Sequence, residues 1–256
     1  MAAATNPLTY NDYVSQIATL AVVQTTTSSG VVVGVDAEFN TLIPQMLNYA
    51  ELRIQRDLDL LPSQTVNTYT LNINSNLLQI PVDDFVTVQT VGLVNGTATL
   101  PLLPTTKEYL QNLYNDASYT AQPEYFAMFG GDLASGGNTY NRIIFGPYSN
   151  STYSISITGT VRLPSLYKFA TQALAASGKT FISTYLPDML IQASMIYISQ
   201  FQRNFGPAAN DPNMGPTYEL QYQNLLKSAF VEEARKKFQA SAWSSMSPSM
   251  AATPTR

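Results

Sequence analysis

Hydrophobic positions in this chain switch between two periods. After Tyr10-Asn11-Asp12-Tyr13, the residues Val14, Ile17, Ala18 and Val22 recur at helical spacing and predict a short helix. Thr25 to Gly30 is a polar breaker. The clearest stripe of the first half then runs through Phe39, Leu42, Ile43, Met46, Leu47, Ala50, Ile54, Leu58 and Leu61. Asp36 stands where a helix cap is needed and Pro62 ends the pattern. Pro44 lies inside it and removes one backbone donor, so a kink or a restart is expected there. The opposite face carries Glu51, Arg53, Arg56, Asp57 and Asp59.

The period then drops to two. Tyr69, Leu71 and Ile73 alternate with polar neighbours, as a half-buried strand does. Leu78 to Pro81 is a second short extended piece, and a strand from about Val86 to Leu93 follows. Asn95-Gly96 signals a type I′ hairpin, with a return strand from Thr97 to Leu102. Thr105 and Glu108 have the spacing of a capping box and should start a short helix holding Tyr109, Leu110, Leu113 and Tyr114. Pro123 to Met128 and Arg142 to Phe145 read as a strand and its return, separated by a glycine-rich loop over 130–138. That loop has no Lys and no Ser or Thr at the spacing a phosphate cradle requires, so it reads as a flexible turn. Tyr153, Ile155, Ile157 and Val161 form the best alternating strand of the chain.

Beyond Leu163-Pro164 the helical period returns. A mixed connector runs to about Thr184, and Pro187 suits a helix start. The helix from Asp188 to about Asn204 is apolar on most sides and should be buried on most sides. The apolar stretch that holds it, near Leu186 to Phe205, is broken by Pro187, Asp188, Gln192, Gln200 and Arg203, so it reads as a buried helix and not a membrane span. A last helix over about 217–239 has its apolar stripe at Tyr218, Tyr222, Leu225, Leu226, Ala229, Phe230 and Phe238. The expected class is α+β: a helical body made from the two chain ends, with a β-rich insertion. The expected divisions are 1–64 and 164–239 for the helical body, 65–163 for the insertion, and 240–256 for a flexible tail.

Composition narrows the function. Of 256 residues, 45% are apolar and only 12% charged, so the polar surface must come from Asn, Gln, Ser and Thr. Such a surface repels copies of itself weakly and suits a protein that works assembled. With neither His nor Cys, disulfides, thiolate or imidazole metal sites, and Ser-His or Cys-His catalytic pairs are excluded. Net charge is −4. The only basic cluster, Arg235-Lys236-Lys237, directly follows Glu232 and Glu233 and reads as a helix face with local ion pairs, not a nucleic-acid site. The N-terminus has neither the basic start nor the apolar run of a secretion signal.

Several phrases stand in a recognisable order. They are Ala50-Glu51-Leu52-Arg53-Ile54-Gln55-Arg56-Asp57-Leu58, then Leu78-Gln79-Ile80-Pro81-Val82-Asp83-Asp84-Phe85-Val86. Pro123-Glu124-Tyr125-Phe126-Ala127 comes before a glycine turn, Tyr185-Leu186-Pro187-Asp188-Met189-Leu190 opens the buried helix, and an aromatic helix begins near Tyr218. Over about residues 10–238 the chain resembles the head-to-tail adaptor, or connector, proteins of tailed bacteriophages. It departs from their pattern in inserts at Thr25 to Val35 and Leu163 to Thr184. The resemblance implies a virion protein without catalytic residues or cofactors, located in the neck and made in the host bacterial cytoplasm. It implies a homo-oligomeric ring, usually of twelve copies, between the portal protein and the tail or nozzle proteins, with genomic DNA passing through and no membrane involved.

A closed ring needs two complementary faces on each subunit, and long helices supply rigid ones. The candidates for contact between subunits are Glu51, Arg53, Arg56 and Asp57 on the first long helix and Glu232, Glu233, Arg235 and Lys237 on the last. For any one of them the alternative is an intrachain or solvated charge. Trp243, Met246 and Met250 are candidate apolar anchors by which the tail would order on the portal or a neighbour. Two other classes stay open. A glycan-binding or tail-fibre module would draw on the sixteen tyrosines and the alternating strands. A glycosidase would need two carboxylates on one cleft, and Asp83-Asp84, adjacent on a strand or turn, is a poor arrangement for that.

Overall fold

A computed structural model describes residues 7–81, 85–133, 139–201 and 214–242. In chain order the elements are α1 (Tyr10–Leu20), β1 (Thr25–Ser28), β2 (Val31–Gly34), α2 (Ala37–Asp57), β3 (Gln64–Leu71), β4 (Leu77–Pro81) and β5 (Thr87–Asn95). Next come β6 (Ala98–Pro101), β7 (Leu103–Pro104), α3 (Lys107–Leu113), β8 (Thr120–Ala121), β9 (Tyr125–Leu133) and β10 (Thr139–Gly146). The last are β11 (Tyr148–Ser149), β12 (Tyr153–Thr160), α4 (Phe181–Tyr185), α5 (Pro187–Phe201) and α6 (Met214–Ala242). The α+β class is borne out. The chain divides into two compact units, one formed by the segments up to Leu61 and from Leu163 onward, the other by Pro62–Arg162.

In the first unit α5 is the central element. Met189, Leu190, Ala193, Ser194, Met195 and Ile198 are all buried, so several faces of the helix need cover. α1, α2 and α6 each pack against it. The buried Tyr13 hydroxyl and Ser194 Oγ lie 2.8 Å apart, a hydrogen bond between α1 and α5. Asp36 caps α2, accepting from the Glu38 N–H. Pro44 does not break α2, which runs as one helix from Ala37 to Asp57. Phe39 and Ile43 before it and Met46, Leu47 and Ala50 after it are buried, and this packing outweighs one missing donor.

Two expectations for this unit are corrected. Thr25 to Gly34 is a hairpin, β1 against β2, closed by Ser29 and Gly30, both at positive φ. β-branched residues on both arms favour the strands. Two asparagines pin them: Asn11 binds the Gly30 carbonyl and the Val32 N–H, and Asn40 binds the N–H and carbonyl of Gly34. Val22 is not on the buried face of α1. It lies past the C-cap residue Ala21 at positive φ and is 91% exposed.

The second unit packs two four-stranded sheets, ordered β3-β12-β5-β6 and β4-β10-β9-β7. Leu71, Val91, Leu93, Ile155 and Ile157 from the first share a core with Leu78, Ile80, Phe126, Ile143 and Phe145 from the second. The second sheet is covered on its other face as well, where Ala127 and Ile144 meet Leu110 of α3. Ile73 lies beyond β3 and is exposed. The 95–98 hairpin exists, but its register is one residue later than a type I′ turn on Asn95-Gly96 requires. Asn95 pairs with Ala98, so Gly96, at φ 63°, leads the two-residue loop. The cap of α3 is also one residue later. Thr106 accepts the Tyr109 N–H, because the Thr105 N–H is already bonded to the Phe126 carbonyl beside β9. In the 130–138 loop, β9 and β10 still pair at Leu133 and Thr139, and 134–138 lie outside the described residues.

Candidate functional site

The proposed contact residues fall on α2 and α6. Glu51 is buried on α2 with 2% exposure, and its carboxylate accepts the Leu166 N–H at 2.8 Å. Burial raises its pKa from 4.5 to about 7, against the lowering effect of the Ser165 and Leu166 hydrogen bonds. Glu233 is also buried. It accepts the Leu61 N–H at 3.0 Å and pairs with Lys236 at 2.8 Å. Both carboxylates are therefore used inside the protomer, which corrects the expectation that they face a neighbouring subunit. Each satisfies a main-chain N–H where the chain leaves one element for another.

Arg53, Asp57, Glu219 and Tyr222 form a polar seam between α2 and α6. Arg53 donates to Glu219 Oε1 at 2.6 Å, lies 3.7 Å from Asp57, and stacks over the Tyr222 ring at 4.3 Å. The Tyr222 hydroxyl donates to Asp57 Oδ2 at 2.7 Å. The hydrogen bond to Glu219 strengthens the cationic form of Arg53, and the same bond holds the Glu219 carboxyl below its ordinary value. Burial and the Asp57 bond push the Tyr222 hydroxyl up, which keeps it a donor. Further along, Lys237 pairs with Asp59, and Lys236 with Glu232 at 2.7 Å. The basic cluster is thus a helix face with local ion pairs, as its sequence context implied. Arg56 and Arg235 are exposed.

The outward side of α6 has a different character. Leu220, Asn224, Lys227 and Val231 recur every three or four residues and are exposed, and Phe230 lies beside them. Leu220 and Phe230 are each 63% exposed and Val231 48%. Phe230 was expected in the buried stripe. Ala229 and Glu233 take that side of the helix instead, so the large ring points outward. A rigid helix of 29 residues presenting apolar side chains among few charges has the character of a protein-docking face.

The family model described as SU10 adaptor protein matches residues 8–249, across both units. The chain belongs to this adaptor family. The adaptor is therefore a structural protein of a bacteriophage virion, and the resemblance carried by its helix and strand phrases is borne out. Among curated proteins no sequence matches it.

Of the residues singled out from sequence, the structure brings Arg53 and Asp57 together with Glu219 and Tyr222. It separates Glu51 and Glu233 from the surface, and it leaves Arg56, Glu232 and Arg235 exposed. Trp243, Met246 and Met250, and the Asp83-Asp84 pair weighed for a glycosidase, lie outside the described residues. Sequence reasoning left Leu220 and Val231 out of the apolar stripe of the last helix and gave them no role. Their offset from the Tyr222–Ala229 stripe was the available signal. Among the described residues, no helix is long and apolar enough to cross a membrane.

Proposed function

We propose that this adaptor is one subunit of a twelve-membered ring in the virion neck, seated between the portal protein and the tail or nozzle proteins. It acts without catalysis or cofactor. The family match over residues 8–249 carries this reading. The apolar outward face of α6 supports a contact between neighbours, because a closed ring needs two rigid, mutually complementary surfaces on each subunit. Leu220, Phe230 and Val231 supply the apolar part of that contact, and Arg56, Glu232 and Arg235 its polar rim. Arg53, Asp57 and Lys237 act from within the protomer by fixing α6 against α2. The tail from residue 240, with Trp243, Met246 and Met250, docks on the portal or a neighbour. The low charge content and net charge of −4 let DNA pass without the phosphate attraction a basic channel would exert.

The test is mass measurement and negative-stain imaging of the purified chain with and without portal protein. The expected result is a twelve-fold ring stacked on the portal. A folded chain that neither binds portal nor closes into a ring in its presence refutes the proposal.

A further inference from the structure

The second unit holds a groove of about 300 Å³ between α3 and the end of β10. Its floor is Leu110, Ile144 and Phe145. Its walls carry three amides, Asn76, Gln111 and Asn115, and the rings of Tyr114 and Tyr148. Gly146 makes this seat possible. A Cβ there would meet Tyr114 Cδ2 at 2.6 Å and Leu110 Cδ2 at 2.7 Å, so only glycine lets the helix lie this close. The Tyr114 ring is further held by stacking on Tyr119 at 5.9 Å.

The lining selects a class of ligand. It contains no Lys or Arg to attract an anion and no Asp or Glu to attract a cation. Amides offer both donors and acceptors at neutral charge, and tyrosine rings offer flat apolar faces, which together match the hydroxyls and C–H faces of a sugar. Capture of a peptide by added β-pairing is disfavoured, since the main chain on the strand side is already engaged. The Phe145 N–H bonds the Asn76 carbonyl, and the Ser149 N–H bonds the Ser75 carbonyl. Among the described residues, none of the three amide side chains makes a hydrogen bond within the protein, so their bonding capacity faces the groove and solvent.

We propose that this groove binds an uncharged saccharide unit. All the lining residues lie in the second unit of the single chain, so the isolated chain carries the groove and its test is separate from that of the ring. Saturation-transfer NMR on the full chain, with maltose and N-acetylglucosamine as probes and tetraglycine as the peptide control, tests it. Transfer to at least one sugar is expected, weakened about fivefold or more in the Gln111→Ala/Asn115→Ala double variant and in Tyr148→Ala. Gln111 and Asn115 are exposed, so the double variant should melt like the parent. Three results overturn the proposal: no transfer to either sugar, transfer unchanged in the variants, or tighter binding of tetraglycine than of either sugar.

Discussion

Glu51 offers the sharpest test of the packing described for the helical unit. Its pKa rises from 4.5 to about 7, mainly because burial penalises the charged carboxylate. The folded state therefore holds this proton more tightly than the unfolded chain. The associated stability is fully present below pH 4.5 and is lost as pH rises through 7. At 1.36 kcal/mol for each tenfold change, the difference between the two ends is on the order of 3 kcal/mol. Glu51→Gln isolates it. The amide oxygen still accepts the Leu166 N–H, the amide nitrogen replaces the acid proton, and the group stays neutral at every pH. Urea unfolding followed by far-UV circular dichroism, on parent and variant at several pH values from 4.5 to 8, gives the difference directly. Other titrating groups cancel in that comparison. Equal stabilities are expected near pH 4.5, and a variant more stable by on the order of 3 kcal/mol at pH 8. If the variant gains nothing at pH 8, or the stability difference does not change with pH, the account of Glu51 as a carboxyl stabilised in its neutral form is wrong.

Three further outcomes follow from other contacts. Tyr13→Phe removes one partner of the buried bond to Ser194, whose hydroxyl still donates to the Leu190 carbonyl. A loss of about 1 kcal/mol in urea unfolding is expected. Gly146→Ala forces Leu110 and Tyr114 away from β10 and should destabilise the β-rich unit by about 1–3 kcal/mol, read as a lower thermal midpoint. Phe230→Asp with Val231→Asp changes exposed positions, so chain stability should move by less than about 0.5 kcal/mol. Portal-dependent ring formation, read by sedimentation, should be lost, and rings formed as readily as by the parent would remove α6 from the contact.

Much of the architecture was legible because it rests on local periodicity. The α2 stripe from Phe39 to Ile54, the β12 alternation at Ile155 and Ile157, and the apolar surround of α5 each announce their element and the side that must be buried. The Asp36 cap was legible for the same reason, since capping involves residues only a few positions apart. The 25–34 hairpin was not. Its strands are short, and what pins them are side chains of Asn11 and Asn40 from other elements.

Tertiary contacts decided the remainder. The sequence by itself determined the longer helices and strands, that charge is scarce, that His and Cys chemistry is absent, and, through the order of its phrases, which family the chain belongs to. It did not determine how α6 rolls on its neighbours, because Tyr222 and Ala229 on one side and Leu220 and Val231 on another satisfy the helical period equally well. Nor did it determine that Glu51 and Glu233 lie inside while Phe230 lies outside. A carboxyl can be buried only where a particular N–H, that of Leu166 or Leu61, is brought to it from a distant part of the chain. That pairing comes into being when the helices close on one another, and no spacing along the sequence encodes it.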